Sequence, residues 1–587
     1  MKKYIIKFLL VVSLISFESC NDKLDVEPQA ALDPNTVGSQ AGLRGLIVSA
    51  YSALDGWLGW DAAAPWATGV SNWVYGDVAS DDATKGGGFG DQGDINSIDL
   101  FVFPPSLPYF NEKWIALYDG IARSNDVIIA AKNAKNIGPG SLTEDDKVQF
   151  TAEGRFLRAF FHFEAKKIFG KVPFMDEVDV ETANYTGSNT EDIYPRIEED
   201  LIYAAENLPS RAEYGADAGR VTFVAAQSLL AKVYMFQGKY ALAKPLLQAV
   251  LDNSDYDLHP NFEDNFRIAT KNGKESIFAL QSSVRDNTND NGHSSLNANW
   301  GDILAHPAMP AYGGAPGMQQ PTFNLVNAFK TGVDGLPLFD TFNNTDINNE
   351  VTTPGAFTEY AGELDPRLDF SVGRRGIPFL GHGDHPGSGG VREPNMFGPF
   401  TNRKNNFNME EAEAGLTGQT WTGGISALNY NIIRFADVIL WRAEVAAREG
   451  DLDIARQLVN RLRVRAKNGG KVTEADGTTP AANYKIEQYP AGHTKFATLE
   501  GALEAVQFEK RLEFALEGHR FFDLVRWGIA SEVLNKYLAE EAIRLPLFFS
   551  TPADFEEGVH EYFPIPTVQI DRSMVNGSAT LIQNSGY

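Results

Sequence analysis

The chain has very little cysteine: Cys20 is the only one in 587 residues. An intrachain disulfide is therefore excluded, and a protein of this length must be stabilised by a large core instead. After Cys20 the sequence also lacks an apolar run of the roughly 20 residues that a membrane-spanning helix needs. We therefore expect a folded chain that does not cross a membrane.

Basic residues are also scarce. The chain has 51 Lys and Arg residues against 77 Asp and Glu residues, which gives a formal net charge of −26. A surface of this sign repels phosphate backbones, so we expect no nucleic-acid partner. Neutral ligands such as sugars remain compatible with it, because their binding does not depend on the sign of the field.

The segment before Cys20 is typical of a secretory signal. Lys2 and Lys3 give a positive start, residues 8–17 are almost wholly apolar, and Ser19 is a small residue next to the cysteine. We expect cleavage between Ser19 and Cys20 and attachment of diacylglycerol to the Cys20 thiol. The alternative is an ordinary secreted protein in which this cysteine is incidental.

Two distant segments repeat one helical pattern. Residues 222–252 match residues 434–464 at one constant offset. The matching pairs include Ala231 with Ala443, Gly238 with Gly450, Ala243 with Ala455 and Leu247 with Val459. Small residues at close approaches and glycine at the turn are typical of tetratricopeptide units, which are antiparallel helix pairs. The alternative is two unrelated helical hairpins of similar length.

The remaining patterns predict a mainly α fold: a tetratricopeptide-like helical-hairpin scaffold with a large, loop-rich irregular subdomain packed on it. Further helices are predicted at residues 41–54, 111–134, 144–169, 191–207 and 500–517. The predicted divisions are a signal peptide (1–19), a lipidated tether (20–40), an N-terminal helical region (41–252), an irregular ligand-face subdomain (253–430) and a C-terminal helical region (431–587).

Enzyme motifs occur only as fragments. The GxGxxG at 88–93 follows no predicted strand, opens no helix and contains an aspartate that would repel a pyrophosphate. The HGDH run at 382–385 lies in a glycine-rich loop without a third metal ligand. We therefore expect no catalytic residue, no metal and no cofactor, although two carboxylates across a cleft, as in a glycoside hydrolase, stay possible.

Aromatic residues are the best ligand candidates. They concentrate in the loops predicted at 56–110 and in the irregular region, where Trp57, Trp60, Trp66 and Trp421 also lie. An aromatic face stacks on the C–H face of a pyranose, while polar neighbours bond its hydroxyls. The predicted ligand-binding residues are Trp73, Tyr75, Asp77, Asn299, Trp300 and Tyr312. The alternative for any one of these rings is a place in the core beneath the loops.

The segment 508–528, FEKRLEFALEGHRFFDLVRWG, carries a family resemblance. Its glutamates at 509, 513 and 517 form one helical stripe, and the charged residues that follow are typical of a buried structural network. The segment closely resembles the signature of the SusD/RagB family of Bacteroidetes outer-membrane lipoproteins. The GDVASDDA run at 76–83 and the chain end at 563–587 are similar to the same family.

This resemblance implies a function as well as a fold. Members of the family are not enzymes; they capture oligosaccharides, or in some cases peptides, at the extracellular face of the outer membrane. They sit over a SusC-like TonB-dependent transporter and are held to the membrane by a lipid on the first mature residue. We therefore expect a glycan-binding lipoprotein that delivers nutrient to such a transporter. Peptide capture, a protein-only adaptor and a glycoside hydrolase are the alternatives.

Overall fold

The computed structural model covers most of the chain after the predicted tether. The described residues are 37–56, 65–135, 142–215, 217–286, 289–290, 293–294, 296–309, 312–347, 357–418 and 425–587. Cys20, Trp57, Trp60 and Trp421 lie outside these ranges. Lipidation at Cys20 therefore stays a prediction.

Helices dominate the described residues, which confirms the predicted fold class. They are α1 (Gln40–Ser52), α2 (Pro65–Thr68), α3 (Asp94–Asp99), α4 (Pro108–Asn133), α5 (Glu144–Phe169), α6 (Glu177–Glu181), α7 (Tyr194–Asn207), α8 (Arg211–Tyr214), α9 (Phe223–Phe236), α10 (Tyr240–Leu251), α11 (Phe323–Ala328), α12 (Leu368–Ser371), α13 (Pro394–Phe397), α14 (Met409–Glu413), α15 (Phe435–Glu449), α16 (Leu452–Asn468), α17 (Leu499–Phe514), α18 (Arg520–Trp527), α19 (Ala530–Arg544) and α20 (Thr567–Arg572). A π-helical turn covers Trp73–Val78, and 3-10 turns include Ala53–Asp55 and Trp300–Ala305.

The strands are short and pair only in twos. They are β1 (Ala83–Gly86), β2 (Ser276–Leu280), β3 (Asn289–Asp290), β4 (His293–Ser294), β5 (Met318–Pro321), β6 (Val372–Gly373), β7 (Thr401–Asn402), β8 (Thr417–Gly418), β9 (Ile425–Ser426), β10 (Tyr430–Arg434), β11 (Met574–Val575) and β12 (Ser578–Ala579). The antiparallel pairs are β1 with β5, β2 with β10, β3 with β4, β6 with β7, β8 with β9 and β11 with β12. The strands therefore tie loops together and do not form a layer of their own.

The long helices pack as a continuous array. α4 packs on α5, α5 on α7, α7 on α9 and α9 on α10. α10 packs on α15, and α15 packs on both α16 and α17.

The start of α5 is fixed by a capping box in which Thr143 and Asp146 each bond the backbone of the other. Gly170, with positive φ, follows the last residue of this helix.

The two segments of the predicted repeat are neighbours in this array. Residues 222–252 contain α9 and α10, and residues 434–464 contain α15 and most of α16. A glycine with positive φ forms each turn, Gly238 at 68° and Gly450 at 88°. The matching alanines of both hairpins are fully buried. Because α10 packs directly on α15, the irregular region interrupts the array in sequence but not in space.

Two predicted elements differ from the structure. The helix predicted at 500–517 ends at Phe514, because the chain turns at Leu516 and Gly518, which both have positive φ. In the region predicted as functional loops, every residue from 65 to 86 is buried. This segment is irregular because it fits between other elements of the core, and not because it faces solvent.

A buried ion network joins the helices to the irregular region. The Arg434 guanidinium donates to Glu513 at 2.6 Å and to Glu517 at 2.9 Å. Glu513 also accepts from Arg367 at 2.9 Å and from Arg465. Burial alone would raise the pKa of Glu513, but Arg465, Arg434 and Arg367 hold it well below its usual range. The glutamate stripe of α17 therefore faces cations inside the protein.

The turn after α17 also contacts the segment 76–83. The Asp77 carboxylate oxygens accept from the Gly518 amide, each at 2.9 Å. A Cβ atom added to Gly76 would lie 2.0 Å from the carbonyl oxygen of Gly518. The two backbones thus approach so closely that a side chain at position 76 does not fit.

We expect Gly76→Ala to lower the free energy of unfolding by about 3 kcal/mol or more, because the backbone must separate to admit the methyl group. Chemical denaturation measures this change. The matched control is Gly45→Ala on the exposed side of α1, where an added Cβ meets nothing within 4 Å. The control should be neutral or stabilising by up to about 1 kcal/mol. Equal stability of the two variants would contradict the close approach.

One buried carboxyl group in the irregular region makes stability depend on pH. Asp302 lies in the 3-10 turn Trp300–Ala305, and its Oδ1 atom has no hydrogen-bond partner among the described residues. Burial raises the pKa of Asp302 to about 6, against a smaller opposing effect of the nearby Ser71 hydroxyl. The folded state therefore keeps a proton that the unfolded chain releases at lower pH. Stability falls as pH rises towards 6, and above this pH the cost of the buried charge is fully present.

We expect Asp302→Asn to raise the free energy of unfolding at about pH 7.5 by about 1–3 kcal/mol, because the variant buries no charge. The gain should shrink by more than half at about pH 4.5, where the wild-type group is protonated in the folded state. Denaturation at the two pH values measures the difference. Asp571→Asn, at an exposed position, is the control and should change little. A gain of the same size at both pH values would argue against this assignment.

Candidate functional site

The six residues predicted to bind a ligand all lie inside the protein. The exposed fraction of each is at most 3%. They are Trp73, Tyr75, Asp77, Asn299, Trp300 and Tyr312. The indole N–H of Trp73 donates to the carbonyl oxygen of Gly301 at 3.0 Å, and the Tyr312 hydroxyl donates to that of Phe407 at 2.7 Å. These rings tie loops together.

The polar members of this set are also bonded within the protein. Asp77 accepts from Gly518, as described above, and from Gln319 at 2.6 Å. The side-chain oxygen of Asn299 accepts from the Ser426 amide at 2.7 Å. In this conformation none of the six side chains presents a face to a sugar, which corrects the prediction that they contact a ligand directly. Their role in the structure is to hold the loops in place.

A cavity of about 600 Å³ lies between α1 and the end of β2. Its walls come from α1, from the turn Ala53–Asp55, from residues 217–220 and from residues 271–272, 279–283 and 297–298. This α1–β2 cavity lies where the early helices meet the irregular region. Its size is in the range of sites that hold small ligands.

Near the cavity, α1 and the turn after it contribute apolar side chains and one tyrosine, Tyr51. Ile47, Val48 and Leu54 line the cavity, and Val48 is 65% exposed. The Tyr51 hydroxyl donates to Glu153 at 3.0 Å and accepts from the Val221 amide at 2.9 Å. Burial, followed by the charge of Glu153, raises the pKa of Tyr51 well above its usual value. The hydroxyl therefore stays neutral and fixes the ring.

Charged groups lie beside this apolar surface, one of them on α1 itself. Arg44 and Asp217 form an ion pair, and their side chains are 56% and 41% exposed. Arg220 binds Glu153 with two nitrogens of its guanidinium. A guanidinium carries five N–H donors, so an exposed arginine with one carboxylate partner still offers donors to a ligand.

Three side-chain amides form a cluster at the cavity wall. Asn272 and Gln281 exchange two hydrogen bonds of 2.8 and 3.0 Å. Asn429 donates to both of them and accepts from the Ser282 amide at 3.0 Å. The Lys271 ammonium donates to the carbonyl oxygens of Ser282 and Ala427. Planar amides with fixed directions can recognise the hydroxyl groups of a sugar.

The pairing of β2 with β10 positions this amide cluster. Leu280 is the partner of Tyr430 at the ends of the two strands. Gln281 follows one strand and Asn429 precedes the other, so their side chains meet. Sequence reasoning did not select these residues. The available signal was a polar residue directly after a buried strand, which is too common to be specific.

The histidine loop singled out in the sequence is a structural element. His385 is buried, its Nδ1 accepts from the Gly387 amide, and its Nε2 lies 3.0 Å from the Thr401 hydroxyl. Burial lowers its pKa to about 3. Within the described ranges, no three His, Cys, Asp or Glu residues are grouped so that they could hold a metal ion. In the same ranges, no helix has both the length and the apolar character that spanning a membrane requires.

Comparisons with known proteins agree with the fold. A family model for the SusD family matches residues 274–587, and a second one, described as starch-binding associating with outer membrane, matches residues 24–235. A SusD-like protein of Bacteroides ovatus is 25% identical over 434 residues, which are 70% of this chain and 65% of that protein. The chain thus spans about two thirds of the length of that relative.

Solved structures are similar over almost the whole chain. A SusD superfamily protein of Bacteroides vulgatus aligns with a TM-score of 0.66 at 20% identity, over 93% of this chain and 99% of that one. Surface glycan-binding protein A of Bacteroides thetaiotaomicron, in complex with laminarihexaose, aligns with a TM-score of 0.60 at 21% identity, over 93% and 99% of the two chains. At these identities the likeness shows the fold alone. Because the SusD family model matches more than half of its residues, the chain belongs to the SusD family.

Proposed function

We propose that this protein binds oligosaccharides in the α1–β2 cavity and does not cleave them. The observation that carries the proposal is the make-up of the cavity: apolar side chains, of which Val48 is exposed, line it together with an exposed ion pair and a cluster of amides. Sugars have apolar C–H faces and directional hydroxyl groups, and this cavity offers partners for both. Family membership and a relative solved with laminarihexaose support the same class of ligand.

The charged groups at the cavity suit recognition better than proton transfer. Asp217 is engaged by Arg44, and Glu153, behind the wall, is engaged by Arg220 and Tyr51. A general acid or base must reach the reacting atoms with a proton to give or accept. Carboxylates held by guanidinium groups instead act as fixed acceptors of hydroxyl hydrogens.

We further propose that the protein is anchored by a lipid on Cys20 at the extracellular face of the outer membrane. There it would deliver its ligand to a SusC-like TonB-dependent transporter. The signal-like segment 1–19 and the lone cysteine support the anchor. The family resemblance supports the transporter.

We expect Arg44→Ala to weaken oligosaccharide binding roughly three- to tenfold, because an exposed charged donor in the cavity is lost. Calorimetry with a panel of neutral oligosaccharides that includes laminarihexaose measures the affinity. Wild-type protein should bind at least one member of the panel, and prolonged incubation should release no new reducing ends.

The matched control is Arg461→Ala. Arg461 also forms an exposed ion pair, with Asp257 at 2.7 Å, and does not line the cavity. Its affinity for the same oligosaccharide should equal that of the wild type. Equal losses in both variants would remove the cavity from consideration as the site. The appearance of new reducing ends would show that the protein hydrolyses the oligosaccharide, and this result would overturn the proposal of binding without cleavage.

We expect Cys20→Ala to move the protein from the membrane fraction to the soluble fraction of cells, because the acyl acceptor is missing. Ser19→Ala, which keeps a small residue before the cysteine, should leave the protein in the membrane fraction. Fractionation followed by mass spectrometry of the N-terminal peptide checks both. An unmodified Cys20 in wild-type protein would contradict the anchor.

A further inference from the structure

A second, smaller cavity lies apart from the α1–β2 cavity. It has a volume of about 320 Å³, and its lining consists of Glu263, Phe370, Pro378, Leu380, Gly381, Arg403 and residues 408–410 and 471–473. No residue of its lining belongs to the lining of the first cavity. Two cations, Arg403 and Lys471, contribute to its wall.

Arg403 is a buried arginine whose charge is only partly compensated. It is 6% exposed, and its Nε atom has no hydrogen-bond partner among the described residues. Its other nitrogens donate to the Asp369 carbonyl oxygen and, at 3.1 Å, to Glu263. Burial lowers the pKa of Arg403, and Arg267 acts in the same direction. Carboxylates, in contrast, raise the pKa of the buried Arg434.

Lys471 adds a second cation that is held only by backbone. Its ammonium donates to the carbonyl oxygens of Lys467 at 2.9 Å and Gly469 at 3.4 Å. In the described part of the chain, no carboxylate forms an ion pair with it. Three N–H donors are present on an ammonium group, so a third remains for a ligand.

The cavity thus brings a buried arginine and a lysine without a carboxylate partner in the described ranges to one wall of a protein that is acidic overall. We propose that this Arg403–Lys471 cavity binds an oxyanion group, a carboxylate or a sulfate, between the buried guanidinium and the ammonium. Among the residues that the structure describes, the buried Arg403 guanidinium has one carboxylate partner, Glu263, and an oxyanion at the cavity wall would add a second negative partner. Charge-assisted bonds of this kind are about twice as strong as neutral ones.

The chemistry of the cavity sets the size and class of the ligand. A volume of about 320 Å³ accommodates a single sugar-sized molecule or a hydrated small anion. Two kinds of ligand can therefore supply the oxyanion group: a free inorganic ion, or a monosaccharide with an acidic group, such as a uronic acid. The Arg403 guanidinium lies 5.3 Å from the centre of the buried Phe370 ring, which supports that group at the cavity wall.

The test measures binding of sodium sulfate, glucuronic acid and glucose to the full mature chain by calorimetry at constant ionic strength. Sulfate and glucuronic acid should bind with dissociation constants of about 10 mM or below, and glucose should not bind at this cavity. Tighter binding of glucuronic acid than of sulfate identifies an acidic sugar as the source, and equal or weaker binding identifies a free anion. Failure of both anions to bind wild-type protein overturns the proposal, whatever the neutral oligosaccharides do at the α1–β2 cavity.

Two substitutions in the lining should move the affinity in opposite directions. Lys471→Met should weaken anion binding roughly three- to tenfold, because a charge-assisted contact is lost. Glu410→Gln, at an exposed acid of the same lining, should strengthen it. Neither change touches the buried Arg403.

Lys485→Met is the matched control. Lys485 is also a partly buried lysine whose ammonium donates to a backbone carbonyl, that of Val333, and it does not line the cavity. This variant should bind both anions with wild-type affinity. If Lys471→Met and Lys485→Met had the same effect, the anion would be responding to overall charge and the proposed site would be refuted.

Discussion

The structure depends on the buried contact between Arg434 and two glutamates, Glu513 near the end of α17 and Glu517 in the turn that follows it. Arg434 bonds Glu513 in α17, Glu517 in the turn after α17, and Glu275 in the irregular region. Removing one partner from such a network leaves an uncompensated buried charge, which costs about 3–5 kcal/mol. Because its members come from the helical array and from the irregular region, the network fixes one relative to the other. The signature segment 508–528 thus joins the helical array to the irregular region, and the glutamates of this network are not available to a ligand.

This network also determines where the candidate ligand site lies. Glu275 immediately precedes β2, and Ser276 pairs with Arg434 at that end of the strands. At the other end, Leu280 pairs with Tyr430, and the amide cluster follows directly. A strand pair clamped by ion pairs at one end can therefore present a fixed set of polar groups at the other. The cavity wall takes its rigidity from the core and not from the loops that surround it.

The sequence predicted the scaffold well and the site poorly, for physical reasons. Helical periodicity and the matched hairpins indicate which face of each helix is buried, and this pattern can be recognised in the sequence itself. The fate of Trp73 depends on Gly301, more than 200 residues later in the chain, so its neighbours in sequence could not reveal that it is buried. Gln281 and Asn272 were missed because polar residues near strand ends are common. Their meeting is a consequence of strand register, which a single sequence does not specify.

The hydrogen bonds of the amide cluster also bear on the strength of ligand binding. Gln281 donates to Asn272 and to the Ala279 carbonyl, and its side-chain oxygen accepts from Asn272 and Asn429. A sugar hydroxyl at this wall must exchange with existing bonds, so the net gain per contact is small. The exposed Arg44 and Asp217 have more capacity left. Such a site favours modest affinity and fast release, and both are compatible with the proposed delivery of the ligand to a transporter.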